Sequence, residues 1–451
     1  MQNIKNLTAG PIQKQLFHLA LPVMGTSFIQ MAYSFTDMVW VGTLGSKAVA
    51  AIGAVGILTW TTNSIALLNK VGSEVTVSQS IGLKNMERAK DLAQHNLTIS
   101  ILIAAVWTLL LFILAPLLIG LFGLEEDVFH LSTNYLRIVA LAFPFLFLSA
   151  TMTGIYNASG HTKVPFWING IGLVTNMVLD PVLIHLCCLG TNGAALATFL
   201  SQMLVCMLFI YMLKKRFPLF ESFQLFTKKL KPEYIRSIIK LGLPVSMLNT
   251  FFSLISLFLA RIATTQGGHL GMMTLTAGGQ LEALAWYTAQ GFSTALSTFT
   301  AQNYSALKFD RMVKGYFTTI KMTSIFGIIC TIGFYFFGDE IFSLIVSNPE
   351  AYQAGGLYLR IDSVSMLLMT YEITNQGFFY GISRTIPPAT ISIVFNILRI
   401  PLALLLVMLG MGISGLWWAI SLSSILKGIS AAIWLSFIWK KIMPQASDSE
   451  Q

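Results

Sequence analysis

Twelve stretches of this chain are each long and apolar enough to cross a bilayer, at 15–40, 48–79, 93–120, 130–158, 163–188, 193–213, 237–264, 273–302, 313–337, 352–380, 386–409 and 412–439. A helix needs about 20 residues to span the hydrocarbon core. In lipid every backbone N–H and C=O must be satisfied within the protein, so runs of this length read as helices. The expected fold is an all-α integral membrane protein with twelve transmembrane helices. With 55% hydrophobic and only 10% charged residues, an ordinary soluble domain is excluded.

The net charge of +9 does not indicate nucleic acid, because Lys and Arg fall in short patches between spans and not along one face. Alternate loops carry Lys84, Arg88 and Lys90; Lys163; Lys308, Arg311 and Lys314; and Arg384, while Lys440 and Lys441 follow the last span. The opposite loops are short or acidic, as in Glu125-Glu126-Asp127 and Asp339-Glu340, with Lys47 the main exception. By the positive-inside rule the basic loops and both termini are expected in the cytoplasm, the chain being multi-pass in the inner (plasma) membrane. The polar start, Met1 to Gly10, leads into a long first span without a cleavage signature, so an uncleaved first helix is expected. Cys187, Cys188, Cys206 and Cys330 lie in or beside apolar spans with no His at ligand spacing, which argues against a disulfide framework or a zinc site.

The longest polar interruption, Lys214 to Lys240, includes Pro218 and Pro232 and divides the chain into an N-terminal lobe at 1–213, a linker at 214–236 and a C-terminal lobe at 237–451. The halves resemble each other. Gln79 through Glu87-Arg88 aligns with Gln302 through Asp310-Arg311 at an offset of 223, Leu21-Pro22-Val23 with Leu243-Pro244-Val245 at 222, and Gly193 with Gly415. Three landmarks in register point to a duplication. Six helices per half make the repeat parallel, so the two six-helix lobes are expected about a pseudo-twofold along the membrane normal, a plan of secondary transporters.

Asp37 and Asp180 stand inside apolar spans, where a carboxylate costs about 2.5–3.5 kcal/mol on insertion scales and persists mainly at a functional site. Asn176 and Asp180 are four apart and share a helix face, and Thr198 follows Ala194 by one turn. Carboxylates, an amide, a hydroxyl and a carbonyl form an all-oxygen set suited to Na+; the same carboxylates could instead carry H+. Pro22 in the first span is either a hinge or a harmless proline at a helix start.

These residues resemble the multidrug and toxic compound extrusion family, in its DinF-like branch. The matching positions are Pro22, Gln30, Tyr33 and Asp37; Asn176-x-x-x-Asp180-Pro181; Ala194 and Thr198; the loop from Gly82 to Arg88; and the segment Asn157 to Pro165. The resemblance implies export of amphipathic, often cationic small molecules in exchange for Na+ or H+ by alternating access, with no cofactor beyond the coupling ion. It implies that Asp37, Asn176, Asp180 and Thr198 hold that ion, with the Ala194 carbonyl carried over less firmly from the family pattern. Gln30, Tyr33 and Asn157 are candidates for the wall of the substrate cavity. Where another branch of the family carries a glutamate seven residues after its Leu-Pro, this chain has Phe251, which speaks against a second ion site of that type.

The second half has its own intramembrane charges: Arg261, Glu282, Glu372 and Arg399. Either they pair internally, or Glu282 or Glu372 faces the cavity and attracts cationic substrate, restrained by Arg399 or Arg261. Lys70 and Glu74 read as a local pair. Met366, Met369, Phe378, Phe379 and Tyr380 are candidates for an adaptable apolar pocket. No phosphate-binding loop or nucleophile–base pair is present, so no enzyme is expected. The nearest alternative is a lipid-linked oligosaccharide flippase, which calls for a basic cavity. The partners expected are the bilayer and small-molecule substrates, for a protein acting as a monomer.

Overall fold

The computed structural model describes residues 5–216, 224–227, 229–346 and 348–448. Among them every regular element is helical: α1 (Ile12–Gly42), α2 (Ser46–Gly82), α3 (Met86–Gly120), α4 (Glu126–Ala140), α5 (Phe143–Ala158), α6 (Lys163–Pro181), α7 (Gly190–Arg216), α8 (Pro232–Ser305), α9 (Phe309–Phe336), α10 (Gly338–Ser343), α11 (Pro349–Gly381), α12 (Ile386–Leu406) and α13 (Ile413–Asp448). The fourth expected span is a bent pair, α4 and α5, which meet at 47°. The seventh and eighth run together as α8, 74 residues long, broken where Gly268 adopts φ 58° and ψ −143°. Counting α4–α5 once, α8 twice and leaving out the six-residue α10 gives the twelve-helix, two-lobed architecture. Short π-helical turns, Val182–Leu186 and Val407–Met411, follow α6 and α12.

The duplication is written into the backbone. Left-handed residues recur at offsets of 222 or 223: Gly45 and Gly268, Lys84 and Leu307, Gly160 and Ser383, Cys188 and Gly410, Gly190 and Gly412. Left-handed φ costs a non-glycine residue roughly 1–2 kcal/mol, so its return at Lys84 and Leu307 reflects a turn imposed by the fold and not by residue preference. Packing repeats too. A Cβ on Gly154 would lie 2.3 Å from the Lys70 carbonyl oxygen, and one on Gly377 would lie 2.2 Å from that of Ser293, both pairs related by 223. Each glycine lets two helices of one lobe touch backbone to backbone, the usual way helices associate where lipid supplies no hydrophobic driving force.

Two compact units emerge: Met1–Asn6 with Gly25–Ser246, and Leu7–Met24 with Met247–Gln451. The division therefore does not fall at the expected boundaries of 213/214 and 236/237. It cuts α1 after Met24 and α8 after Ser246, two residues past Pro22 and two past Pro244. Of the expected linker, residues 217–223 and Lys228 lie outside the described residues.

Hydrogen bonds explain the division. In the second unit Arg311 donates to the carbonyls of Leu7 (3.1 Å) and Gly10 (2.8 Å) and to Gln15 Oε1 (2.7 Å), while Gln302 Oε1 accepts from the Leu7 N–H (3.2 Å). Leu16, Leu19 and Ala20 then pack with Phe292 and Phe299. In the first unit Lys231 donates to Asp91 (2.8 Å) and its N–H to His95 Nε2 (3.0 Å), and Ile238 packs on Leu68 and Ile99. The Asp91 carboxylate holds the Lys231 ammonium above its ordinary pKa. Lys47, the exception among the acidic loops, is neutralised by Asp127 at 2.6 Å.

Because the two glycine contacts are the same contact in two copies, Gly154→Ala and Gly377→Ala should destabilise by similar amounts, about 1–3 kcal/mol each. Gly279→Ala, with open space at its Cβ, should be neutral or slightly stabilising. Melting curves of the three variants in detergent test this.

Candidate functional site

Tyr33 and Asp37 lie four apart on one face of α1, within the part of that helix that belongs to the first unit. Asn176 and Asp180 do the same on α6 and are fully buried, whereas Asp37 is half-buried. Pro181 and the π turn end the regular helix directly after Asp180. Asn176 joins the two acids. With its nitrogen facing the carboxylates it donates to Asp37 Oδ1 (2.9 Å) and Asp180 Oδ2 (3.3 Å), and its oxygen accepts from the Tyr33 hydroxyl (3.1 Å). That orientation follows from the neighbours when both acids are ionised, since carboxylate oxygens then only accept.

Tyr33 also meets Ser201 Oγ on α7 at 2.7 Å. A phenol has one proton. When Tyr33 gives it to Asn176, Ser201 must donate to Tyr33; when Ser201 donates to the Ala197 carbonyl (2.8 Å), Tyr33 donates to Ser201. The site thus has two hydroxyl arrangements available without moving a heavy atom. Beside Tyr33, Thr198 Oγ1 is buried and makes no hydrogen bond of good geometry. Tyr135 on α4 lies within electrostatic reach of Asp37, Tyr33 and Asp180. Ala194 is buried one turn before Thr198.

Among the described residues no Lys, Arg or His pairs with either aspartate. The two carboxyl groups lie close enough to interact directly. Such a pair holds one positive charge between its members, a proton or a metal ion. The carboxylates and the neighbouring Thr198 hydroxyl, which has no hydrogen bond of good geometry, make the oxygens of this site the kind that suit a hard cation.

The structure thus brings Asp37, Asn176, Asp180, Thr198 and Tyr33 together. Sequence reasoning missed Ser201 and Tyr135. Ser201 was within reach, one turn beyond Thr198; Tyr135 comes from a helix whose placement no local pattern gives. Of the other candidates, Gln30 is exposed on α1, and Asn157 is buried at the end of α5 with its Oδ1 unpartnered. Pro22 is interior to α1, not at its start. Glu282, Glu372 and Arg399 belong to the second unit, where Arg261 is exposed and apart from them. Met366, Met369, Phe378, Phe379 and Tyr380 are buried.

A duplicated, two-lobed bundle of twelve helices with paired intramembrane carboxylates defines a multi-pass membrane protein of the secondary-transporter kind. The family model MatE matches residues 22–182 and 244–405, and the chain belongs to that family. The chain is 28% identical over 435 residues to the probable multidrug resistance protein YoeA of Bacillus subtilis, covering 93% of each. It is 25% identical over 449 residues to the probable multidrug resistance protein NorM of Thermotoga maritima, covering 95% of this chain and 94% of that one. A crystal structure of MATE in complex with MaL6 shares the fold with a TM-score of 0.92, at 21% identity over 98% of this chain and all of the other.

Thr198→Val separates the two candidate ions. It removes an oxygen with no good partner in the protein, so stability in cation-free buffer should stay within about 1 kcal/mol of the parent. Sodium binding, read as a sodium-induced rise in melting temperature, should weaken roughly 10-fold or more, whereas a proton, needing only the carboxylates, should still be taken up.

Proposed function

We propose that this protein is a secondary active exporter of amphipathic, often cationic small molecules, exchanging them for Na+ or H+ by alternating access. The observation that carries this reading is the Asp37–Asn176–Asp180 bridge, two intramembrane carboxylates to which no Lys, Arg or His is paired among the described residues. One positive charge is needed there, and it can come from the coupling ion or from a cationic substrate, so the two compete. A monovalent cation moving inward gains about 2.3 kcal/mol per 100 mV of membrane potential, which supplies part of the driving force, and the ion's own gradient supplies the rest.

The names of the NorM and YoeA relatives support multidrug compounds as the substrate class. The distribution of basic loops supports an inner-membrane protein with both termini in the cytoplasm, and we take it to act as a monomer. A lipid-linked oligosaccharide flippase wants a basic cavity for its diphosphate, and the first-half site offers carboxylates.

The test is gradient-driven movement of a fluorescent cationic dye in proteoliposomes under imposed sodium or pH gradients. Asp37→Asn and Asp180→Asn should each reduce coupled transport by roughly tenfold or more while the protein stays folded, since each removes a charge that the coupling ion balances. Full coupled transport in both variants overturns the reading.

A further inference from the structure

The second half repeats the landmarks of the site but not its charge. In the register of 222 or 223 kept by the turns on either side, Arg399 on α12 stands where Asn176 stands on α6, at an offset of 223. Ser423 on α13 answers to Ser201 on α7 at 222, and Tyr358 on α11 to Tyr135 on α4 at 223. The acids are gone: Asp37 corresponds to Leu259 at 222, and Asp180 to Leu402 at 222 or Ala403 at 223.

Arg399 is buried. Its Nε donates to Ser423 Oγ at 2.7 Å and its Nη2 to Ser424 Oγ at 3.0 Å, so the counterpart of Ser201 holds the guanidinium. Glu282, Asp362 and Glu372 surround it within electrostatic reach, yet none approaches within the 4.0 Å of an ion pair. Glu282 Oε2 accepts from Tyr358 (3.0 Å), and Glu372 accepts from Ser392 (2.6 Å) and Gln376 (2.8 Å) and pairs with Lys427 at 3.4 Å. Asp362 Oδ2 and Asn396 Oδ1 are buried with no hydrogen-bond partner. Two fixed cations thus stand among three carboxylates, with two acceptor oxygens left over.

We propose that Arg399 is a built-in cation which fills, in the second half, the place that an exchangeable ion takes in the first, and that removing it opens a monovalent-cation site among Asp362, Glu282 and Asn396. The guanidinium is delocalised, weakly hydrated and always charged, so it can hold this place permanently. The proposal rests on the reading of Asp37 and Asp180 as the exchangeable site, and its test is arranged to fail separately.

The test is sodium-induced stabilisation of purified protein, with choline as the control cation. The parent reports on the first-half site. In an Asp37→Asn/Asp180→Asn background that signal should vanish, and adding Arg399→Gln should restore sodium binding, at roughly tenfold or more above the double variant. Arg399→Lys in the same background should show no such gain, because it keeps the charge. A folded triple variant with no sodium response overturns the proposal. Should Arg399→Gln fail to fold, Asp362→Asn in the otherwise parental protein decides: it should leave the sodium response intact, and loss of that response overturns the proposal. Absence of a sodium response in the parent bears only on the first-half site, as the triple variant is read against the double one.

Discussion

Two carboxyl groups held side by side inside an apolar bundle set the terms for the rest of this protein. Burial of Asp180 and Asn176, the donors gathered around them and the absence of a paired Lys or Arg among the described residues leave one positive charge to come from outside the chain. In low dielectric that demand is strong, because charges a few ångströms apart interact many times more strongly than in water. A site of this kind is expensive to keep and easily lost. Its presence on helices apolar enough to cross a membrane is a functional signature in itself.

The helices that hold the site are fixed by contacts repeated in both halves. Gly154 on Lys70 and Gly377 on Ser293 set how closely helices approach within each lobe, and the left-handed turns at Lys84 and Leu307 set where the basic loops reverse. Each unit also holds the opening segment of the other half's first helix. Arg311 grips Leu7, Gly10 and Gln15 in the second, and Asp91 with His95 grips Lys231 in the first. α1 and α8 thus each pass from one unit to the other just after Pro22 and Pro244. A proline there removes a backbone hydrogen bond at the point where the helix changes company, which is where bending costs least.

Most of this was legible from residue pattern. Hydropathy gave the twelve segments, the basic loops gave the register of the repeat, and isolated acids in greasy spans gave Asp37 and Asp180, because lipid makes each such residue conspicuous. What stayed hidden depends on long-range packing. Tyr135 looks like any aromatic in an amphipathic helix until α4 is placed beside the site. Gly268 breaks α8 with a left-handed φ of 58°, a conformation that the sequence around it does not announce. The linker looks like a domain boundary, since polarity marks where the chain leaves the membrane and says nothing about which lobe receives residues 7–24 or 232–246. Lys47 seemed an anomaly in charge pattern only because its partner, Asp127, lies 80 residues on.

The halves have kept their geometry and diverged in electrostatics. In the first, no Lys, Arg or His pairs with the acids among the described residues, and in the proposed reading their occupancy follows ion gradients and substrate concentration. In the second, Arg399 and Lys427 are covalently part of the chain, and their neighbours Glu282 and Glu372 are tied to Tyr358, Ser392 and Gln376. A buried charge network of this sort adds little net stability over a well-packed apolar core, though breaking one partner of it costs about 3–5 kcal/mol. On the same reading, the fixed charges of the second lobe stay with the chain, while the first changes charge with its load. In the proposed reading, that difference is what allows a duplicated chain to count one ion per cycle instead of two: symmetry supplies the scaffold for two sites, and a single arginine closes one of them.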